Sequence, residues 1–108
     1  MIARNKNNLE KLSAKYKNSF PYVCNIGDLE NFKCILNQIR SEHGDGEVVI
    51  HNAPSASRGS ILELDPNDLE KNFRVNTTAL LYLTRDTIPG MLRKKKGTII
   101  VTGNTAST

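Results

Sequence analysis

Three loops of the sequence carry short polar side chains and glycines of the kind that surround bound ligands. They are residues 25–28, 52–58 and 103–108, and each directly follows an apolar segment. Small residues allow a backbone to approach a ligand closely, and amide side chains offer both a donor and an acceptor. The pattern predicts a binding site formed by hydrogen-bonding groups at the ends of apolar segments.

Asn76 is a polar residue on an otherwise apolar face of a predicted helix. The apolar residues of that face are Leu69, Phe73, Leu80 and Leu83, and Asn76 falls among them at intervals of three and four. We expect Asn76 to be buried and hydrogen-bonded, because an unpaired buried amide is costly. From spacing alone, it either ties the helix to a neighbouring strand or serves a site.

Helices and strands alternate in the periodicity of the sequence. Helical spacing covers about residues 7–18, 28–43 and 67–94, and strand-like runs cover 20–24, 48–50 and 98–102. Asp28 and Asp65 are the expected N-caps of the second and third helices, and Pro89 with Gly90 should kink or locally interrupt the third. The continuous apolar run at 48–50 is typical of a strand covered on both faces.

This alternation predicts an α/β domain with a parallel sheet and helices on both of its faces. Ligands of such sheets bind beyond the carboxyl ends of the strands, which is where the three polar loops leave. We therefore expect Asn25, Asn52 and the stretch near Asn104 to share one rim, with Asn76 beneath it.

Several short motifs carry a family resemblance. Residues 51–54 (His-Asn-Ala-Pro) match two of four positions of an Asn-Asn-Ala-Gly motif, Asn76 follows at the spacing of a second motif, and residues 97–103 form a third. In order and spacing these segments resemble the central part of short-chain dehydrogenases/reductases. The resemblance implies a partial Rossmann-like three-layer sandwich over residues 1–108. It also implies a nucleotide-binding oxidoreductase that transfers hydride between a nicotinamide and a carbonyl/alcohol substrate.

The resemblance assigns catalytic roles to three positions. In the family, the residue at the Asn76 position holds, through its backbone, a water that connects the catalytic lysine to solvent. The catalytic serine of the family falls at Asn104 in the simplest register, or at Ser107 along a loop of variable length. The sequence leaves open which of Asn104 and Ser107 takes that place.

The resemblance also implies a set of cofactor contacts. Arg4 lies where the family meets the adenosine 2′-phosphate of NADP, so NADP is the expected cofactor, with NAD possible; a solvated arginine at a strand end is the alternative. Asn25 and Ile26 lie at the adenine-contacting turn, and Asn52 and Ala53 border the cofactor. His51 is either proton-active or a packed hydrogen-bonding residue.

Two parts of the family pattern are missing from the 108 residues. There is no glycine-rich turn before Arg4, and there is no Tyr-x-x-x-Lys pair to act as general acid and base. We therefore expect a fragment, inactive alone, of a longer enzyme.

Composition limits the remaining classes of function. A length of 108 residues fits one small domain. With 38% hydrophobic residues and no long apolar stretch, the sequence indicates neither a membrane span nor a secretory signal, and we expect a cytoplasmic protein. Cys24 and Cys34, both among apolar residues, are expected to be buried thiols, with no metal site. The net charge is +4, and the densest basic cluster, residues 93–96, lies at the end of a predicted helix, so nucleic-acid binding is not expected.

Two other functions remain open. The chain could be a truncated, non-catalytic interaction module that uses the long helix, with Leu81 and Tyr82 off the buried face. It could also be a flavodoxin-like domain that binds a mononucleotide, although none of its loops is rich enough in glycine to look like a phosphate cradle. A parallel sheet that lacks a central strand exposes unpaired edges, so we expect a homo-oligomer.

Overall fold

The computed structural model describes residues 1–103 of the chain, and the following elements lie within that range. In chain order they are β1 (Ile2–Ala3), α1 (Lys6–Lys15), β2 (Tyr22–Val23), α2 (Leu29–His43), β3 (Val48–His51), α3 (Pro66–Phe73), a π-helical turn (Arg74–Thr78), α4 (Ala79–Lys94) and β4 (Thr98–Val101). The predicted alternation of helices and strands is confirmed, with boundaries moved by a few residues.

Side-chain caps fix where the helices begin. The carboxylate of Asp28 accepts a hydrogen bond from the backbone N–H of Asn31 at 3.2 Å, and Asp65 does the same for Asn67 at 2.9 Å. Both predicted caps are confirmed, with Pro66 at the first helical position, where its missing N–H is not needed.

The strands form two separate parallel pairs. Ile2 lies opposite Tyr22 in the β1–β2 pair, and Val48 lies opposite Thr98 in the β3–β4 pair. The α/β class and the parallel pairing are confirmed, and the sheet is incomplete as predicted. Between the pairs lies a groove of about 500 Å³, here called the inter-sheet groove, lined among others by Ile2, Phe32, Leu36, Val49, His51, Asn52, Ala53 and Leu83.

A core of buried residues packs β1 and the segment after β2 against α2 and α4. Its buried members are Cys24, Phe32, Leu36 and Ala79, and Ile2, Ile26, Tyr82 and Leu83 pack against them. Burying side chains as large as Phe32 stabilises the fold by about 1.5–3 kcal/mol each. Burial raises the pKa of the Cys24 thiol, and the Asp28 carboxylate adds to this. Cys34 is exposed, so the prediction that both thiols are buried was wrong for Cys34.

β3 is covered on one face only within the described residues. Val48 and Ile50 are 59% and 61% exposed, whereas His51 is buried. The prediction of a strand covered on both faces is therefore not met by residues 1–103. A continuous apolar run shows that both faces can be buried, but it does not supply the second covering layer.

The long helix is continuous, and its irregularity lies where the sequence did not predict it. The helix runs through Pro89, whereas Arg74–Thr78 forms a π turn in which the Ala79 N–H donates to the Arg74 carbonyl. Gly90 and Met91, directly after the proline, are buried against the rest of the protein. That packing offsets the missing hydrogen bond at Pro89, so the helix is not interrupted there.

The predicted buried face of this helix is covered only in its second half, where Leu83 packs against the core and Leu80 is partly buried. Leu69 and Phe73 are 71% and 59% exposed, while Val75 is partly buried and Ala79 is fully buried. Tyr82, expected on the outside, packs on the core, and Leu81 stays exposed. Periodicity identifies an apolar face, but which apolar face is covered depends on the neighbouring elements. Among residues 1–103, no helix combines the length and apolarity that crossing a bilayer requires.

Candidate functional site

A cavity opens at the carboxyl ends of β3 and β4. Its volume is about 560 Å³, and we call it the rim cavity; it is lined by His51, Asn52, Ala53, Pro54, Ser55, Ala56, Asn76, Val101, Thr102 and Gly103. Loops leave both strands here, and the backbone N–H of Thr102 donates to the His51 carbonyl at 3.2 Å, which extends the β3–β4 pairing to the cavity edge. The predicted position of the site relative to the strands agrees with this cavity.

Asn76 reaches the rim from the π turn. Its side-chain Oδ1 accepts from the Ser55 backbone N–H at 2.9 Å, and its Nδ2 donates to the Ser55 carbonyl at 2.7 Å. The amide thus pairs with one residue of the loop in the manner of a β-ladder. The side chain is nevertheless exposed, so the prediction of burial was wrong. The loop that binds the amide does not bury it, because the cavity leaves its other side open.

The π turn is the local feature that carries Asn76. Its hydrogen bond closes over five residues instead of four, which widens the helix for one turn. Such turns are rare in proteins, and those that occur often lie at functional sites. β-branched Val75, Thr77 and Thr78 surround Asn76 in this turn and fit a regular α-helix less well than straight side chains do.

Asn72 is a site-associated residue that the sequence did not indicate. It lies one helical turn before Asn76; its Oδ1 accepts from the Ser55 hydroxyl at 2.6 Å, and its Nδ2 donates to Ser57 Oγ at 3.1 Å. Its spacing of four from Asn76 could have placed both amides on one face. The apolar residues of that face predicted burial against a core, and they did not indicate a polar contact at position 72.

Asn52 and Ala53 lie where two cavities meet. Both residues line the rim cavity and the inter-sheet groove, as does His51. Asn52 is exposed, and Ala53 is partly buried. A long ligand could therefore contact these residues while extending from one cavity into the other. The His51 side chain is buried, at 7% exposure.

Asn25 lies in a different cavity from Asn52 and Asn76. Its cavity also contains Asp28, Phe73, Arg74 and Thr78. The Asn25 Oδ1 accepts from the Gly27 backbone N–H at 3.0 Å, which forms a tight turn after β2. The expected single rim thus divides into two cavities on either side of the π turn.

The remaining predicted contacts lie in three places. Ile26 packs against the core and lines the inter-sheet groove. Arg4 follows β1 directly and is exposed. Asn104 and Ser107 lie outside the described residues, and the chain as described reaches the rim cavity at Gly103.

Two ion pairs lie at the opposite, amino ends of β3 and β4. Arg93 contacts Asp45 at 3.0 Å, and Lys96 contacts Glu47 at 3.2 Å, so two members of the basic run join α4 and the segment after it to the loop before β3. Tyr22 donates to Glu42, and this hydrogen bond raises the pKa of Tyr22 to about 12. In the part of the chain that the structure describes, no group of three or more His, Cys, Asp or Glu side chains is placed to bind a metal.

The comparisons with known proteins agree with this geometry. The family described as short chain dehydrogenase matches residues 1–108. Dehydrogenase RED3 of Cochliobolus heterostrophus is 32% identical over 99 residues, which cover 89% of this chain and 49% of that protein. Human 17-beta-hydroxysteroid dehydrogenase 13 is 26% identical, over 89% of this chain and 33% of its own length. The chain thus spans half or less of the length of these relatives.

Solved structures show the same fold. L-sorbose reductase from Gluconobacter frateurii, solved with NADPH and L-sorbose, superposes with a TM-score of 0.88 at 20% identity, over 99% of this chain and 43% of its own. A short-chain dehydrogenase from Streptomyces avermitilis gives 0.85 at 22% identity, over 93% of this chain and 37% of its own. The two strand pairs and their helices are therefore part of a Rossmann fold, and the chain belongs to the short chain dehydrogenase family of oxidoreductases.

Proposed function

We propose that this chain forms the central part of an NAD(P)-dependent oxidoreductase that transfers hydride between a nicotinamide and a carbonyl/alcohol substrate. The observation that supports this most strongly is the pairing of Asn76 with Ser55 beside the rim cavity. It joins the helix that carries the family's catalytic asparagine position to the loop that borders the cofactor in the family. The open cavity beside this pair leaves room for a ligand next to the loop that the asparagine holds.

The residues present fit part of a dinucleotide site. At the junction of two cavities, Asn52 offers an amide and Ala53 a small side chain. Arg4 adds a positive charge after β1. The nicotinamide cofactor, when bound, supplies or accepts the hydride. We propose NADP as this cofactor for two reasons. Arg4 is suited to a 2′-phosphate, and L-sorbose reductase was solved in complex with NADPH.

The residues of this chain are proposed to orient the substrate and a water molecule, and none of them acts as the general acid. The Asn76 side chain is engaged with Ser55, so its backbone carbonyl is the group proposed to hold water. Asn104 or Ser107 is proposed to hydrogen-bond to the substrate oxygen. The general acid must come from outside the 108 residues, since they contain no Tyr-x-x-x-Lys pair.

Sequencing the transcript and assaying the intact gene product tests this proposal. We expect a glycine-rich turn before Arg4, a Tyr-x-x-x-Lys pair after Thr108, and oxidation of NADPH in the presence of a panel of aldehydes and ketones. Absence of both motifs, together with no oxidation of NADPH or NADH, would contradict it.

The Arg4→Ala variant tests the choice of NADP. Loss of a charge-assisted contact should raise the KM for NADPH by about tenfold and leave that for NADH nearly unchanged. Lys6→Ala is the matched control, because Lys6 is a nearby exposed cation that pairs with Glu10 at 3.7 Å. An equal effect of Arg4→Ala on both cofactors would favour a solvated arginine.

A second proposal concerns self-association. Leu69, Phe73 and Leu81 expose 71%, 59% and 55% of their surface along one helix, and the unpaired strand edges add to the surface that favours association. We propose a homo-oligomer that uses this helix, which is also the surface that a non-catalytic interaction module would use. Sedimentation of the intact protein as a monomer at high concentration would contradict it.

A further inference from the structure

Ser55 is held by two amides at once. Asn76 binds its backbone N–H and carbonyl, and Asn72 binds its hydroxyl at 2.6 Å. All three polar groups of one loop residue are thus paired with side chains one helical turn apart. Such complete pairing fixes the position of Ser55 against the helix.

Asn72 adds a second attachment point that Asn76 does not provide. Its Nδ2 donates to Ser57 Oγ at 3.1 Å, two residues further along the loop. Ser55 and Ser57 lie on the same side of the loop, because the hydroxyls of both contact Asn72. One attachment point would allow the loop to pivot about Ser55, whereas two points set its direction.

The loop depends on these contacts for its order. Between Asn52 and Arg58 the backbone forms no helix or strand. Its first residues, Asn52 and Ala53, border both cavities. The amides of Asn72 and Asn76 therefore connect a rigid helix, capped by Asp65, to the part of the loop nearest the proposed cofactor.

We infer that Asn72 is a positioning residue: it holds the loop of residues 52–57 in the conformation that binds the nicotinamide cofactor. It acts through Ser55 and Ser57 and not by contact with the ligand. The inference rests on the proposed function for the identity of the ligand. The ordering of the loop does not depend on that proposal.

Hydrogen exchange of the intact, ligand-free protein tests the ordering. Asn72→Ala removes two hydrogen bonds of ordinary strength, so the Ser55 amide, which donates to Asn76, should exchange about tenfold faster. Asn72→Asp should restore most of the protection, because a carboxylate accepts from both serine hydroxyls. Asn67→Ala, the same change in the first turn of α3, is the matched control and should leave the loop unaffected. Unchanged exchange in Asn72→Ala would overturn the inference.

Titration with NADPH tests the connection to the cofactor. Asn72→Ala should weaken NADPH binding severalfold, up to the tenfold change in loop order, while Asn72→Asp binds nearly as the native protein does. If the native protein binds NADPH and Asn72→Ala binds it equally well, the inference is overturned. If exchange rises as expected but the native protein binds neither NADPH nor NADH, the proposed function fails and the ordering role of Asn72 stands.

Ser57→Ala provides an independent variant should Asn72→Ala unfold the protein. It removes one of the two Asn72 bonds from the loop side and should give part of the increase in exchange. Combining it with Asn72→Ala should add little, because both changes remove the same contact. Full additivity of the two effects would contradict a shared role.

Discussion

The two ends of the strands are held by different kinds of contact. At the amino ends, Gly90 lies so close to Asp45 that a methyl group in its place would overlap that side chain, and Arg93 pairs with Asp45 at 3.0 Å. At the carboxyl ends, Asn72 and Asn76 hydrogen-bond to a loop beside an open cavity. Close packing cannot change without displacing atoms, whereas exposed hydrogen bonds can exchange with water. We therefore expect the close contact at the amino ends to contribute more to the stability of the fold, and the carboxyl ends to remain available for a site.

Gly90→Ala should have the largest effect, because it tests the close packing. The added methyl group would displace Asp45 and lower the free energy of unfolding by about 1–3 kcal/mol. Gly46→Ala is the matched control: its methyl would meet Val49 at an ordinary 3.7 Å, and its effect should stay within about 0.5 kcal/mol. Urea denaturation of the intact protein measures both, and equal stabilities would remove the contrast between the two ends.

Asn76→Ala should have an intermediate and local effect. The variant lacks both hydrogen bonds to the Ser55 backbone, which should lower the free energy of local opening by about 1–2 kcal/mol. Hydrogen exchange of the Ser55 amide should therefore become faster, while the amides of Phe32 and Leu36 keep their protection. Thr77→Ala, the exposed neighbour in the same π turn, serves as the control. Loss of protection throughout α2 would show that this end also fixes the fold.

The Tyr22–Glu42 hydrogen bond should have the smallest effect, and its distinguishing sign is a titration in alkali. The Glu42 hydrogen bond raises the pKa of Tyr22 from 10.0 to about 12, so the unfolded chain loses this proton first. The contribution of the pair is therefore fully present below about pH 10 and is lost as the pH rises towards about 12. The absorbance of tyrosinate should show one tyrosine that titrates at higher pH than the others. The Glu42→Gln variant should lower the pKa of that tyrosine. A Tyr22 titration unchanged by Glu42→Gln would show that the contact is not formed.

Much of the fold could be predicted because it depends on neighbours in sequence. The caps Asp28 and Asp65 act within one turn, and the apolar runs at 48–50 and 98–102 indicate strands wherever they lie. The candidate site was predicted in outline: Asn52 and Asn76 line one cavity, as expected for loops leaving the same strand ends. Asn72 was missed, since its partners Ser55 and Ser57 lie 17 and 15 residues away.

The sequence by itself determined the order of helices and strands, their parallel pairing class and the loops that could form a site, because each follows from local periodicity, capping and chain direction. Only the tertiary structure decided that Asn76 is exposed, that the π turn and not Pro89 interrupts the long helix, and that Asn25 lies in a separate cavity. These outcomes depend on which surfaces meet across the chain, and the free energy of those contacts outweighs the small local preferences that a sequence pattern records.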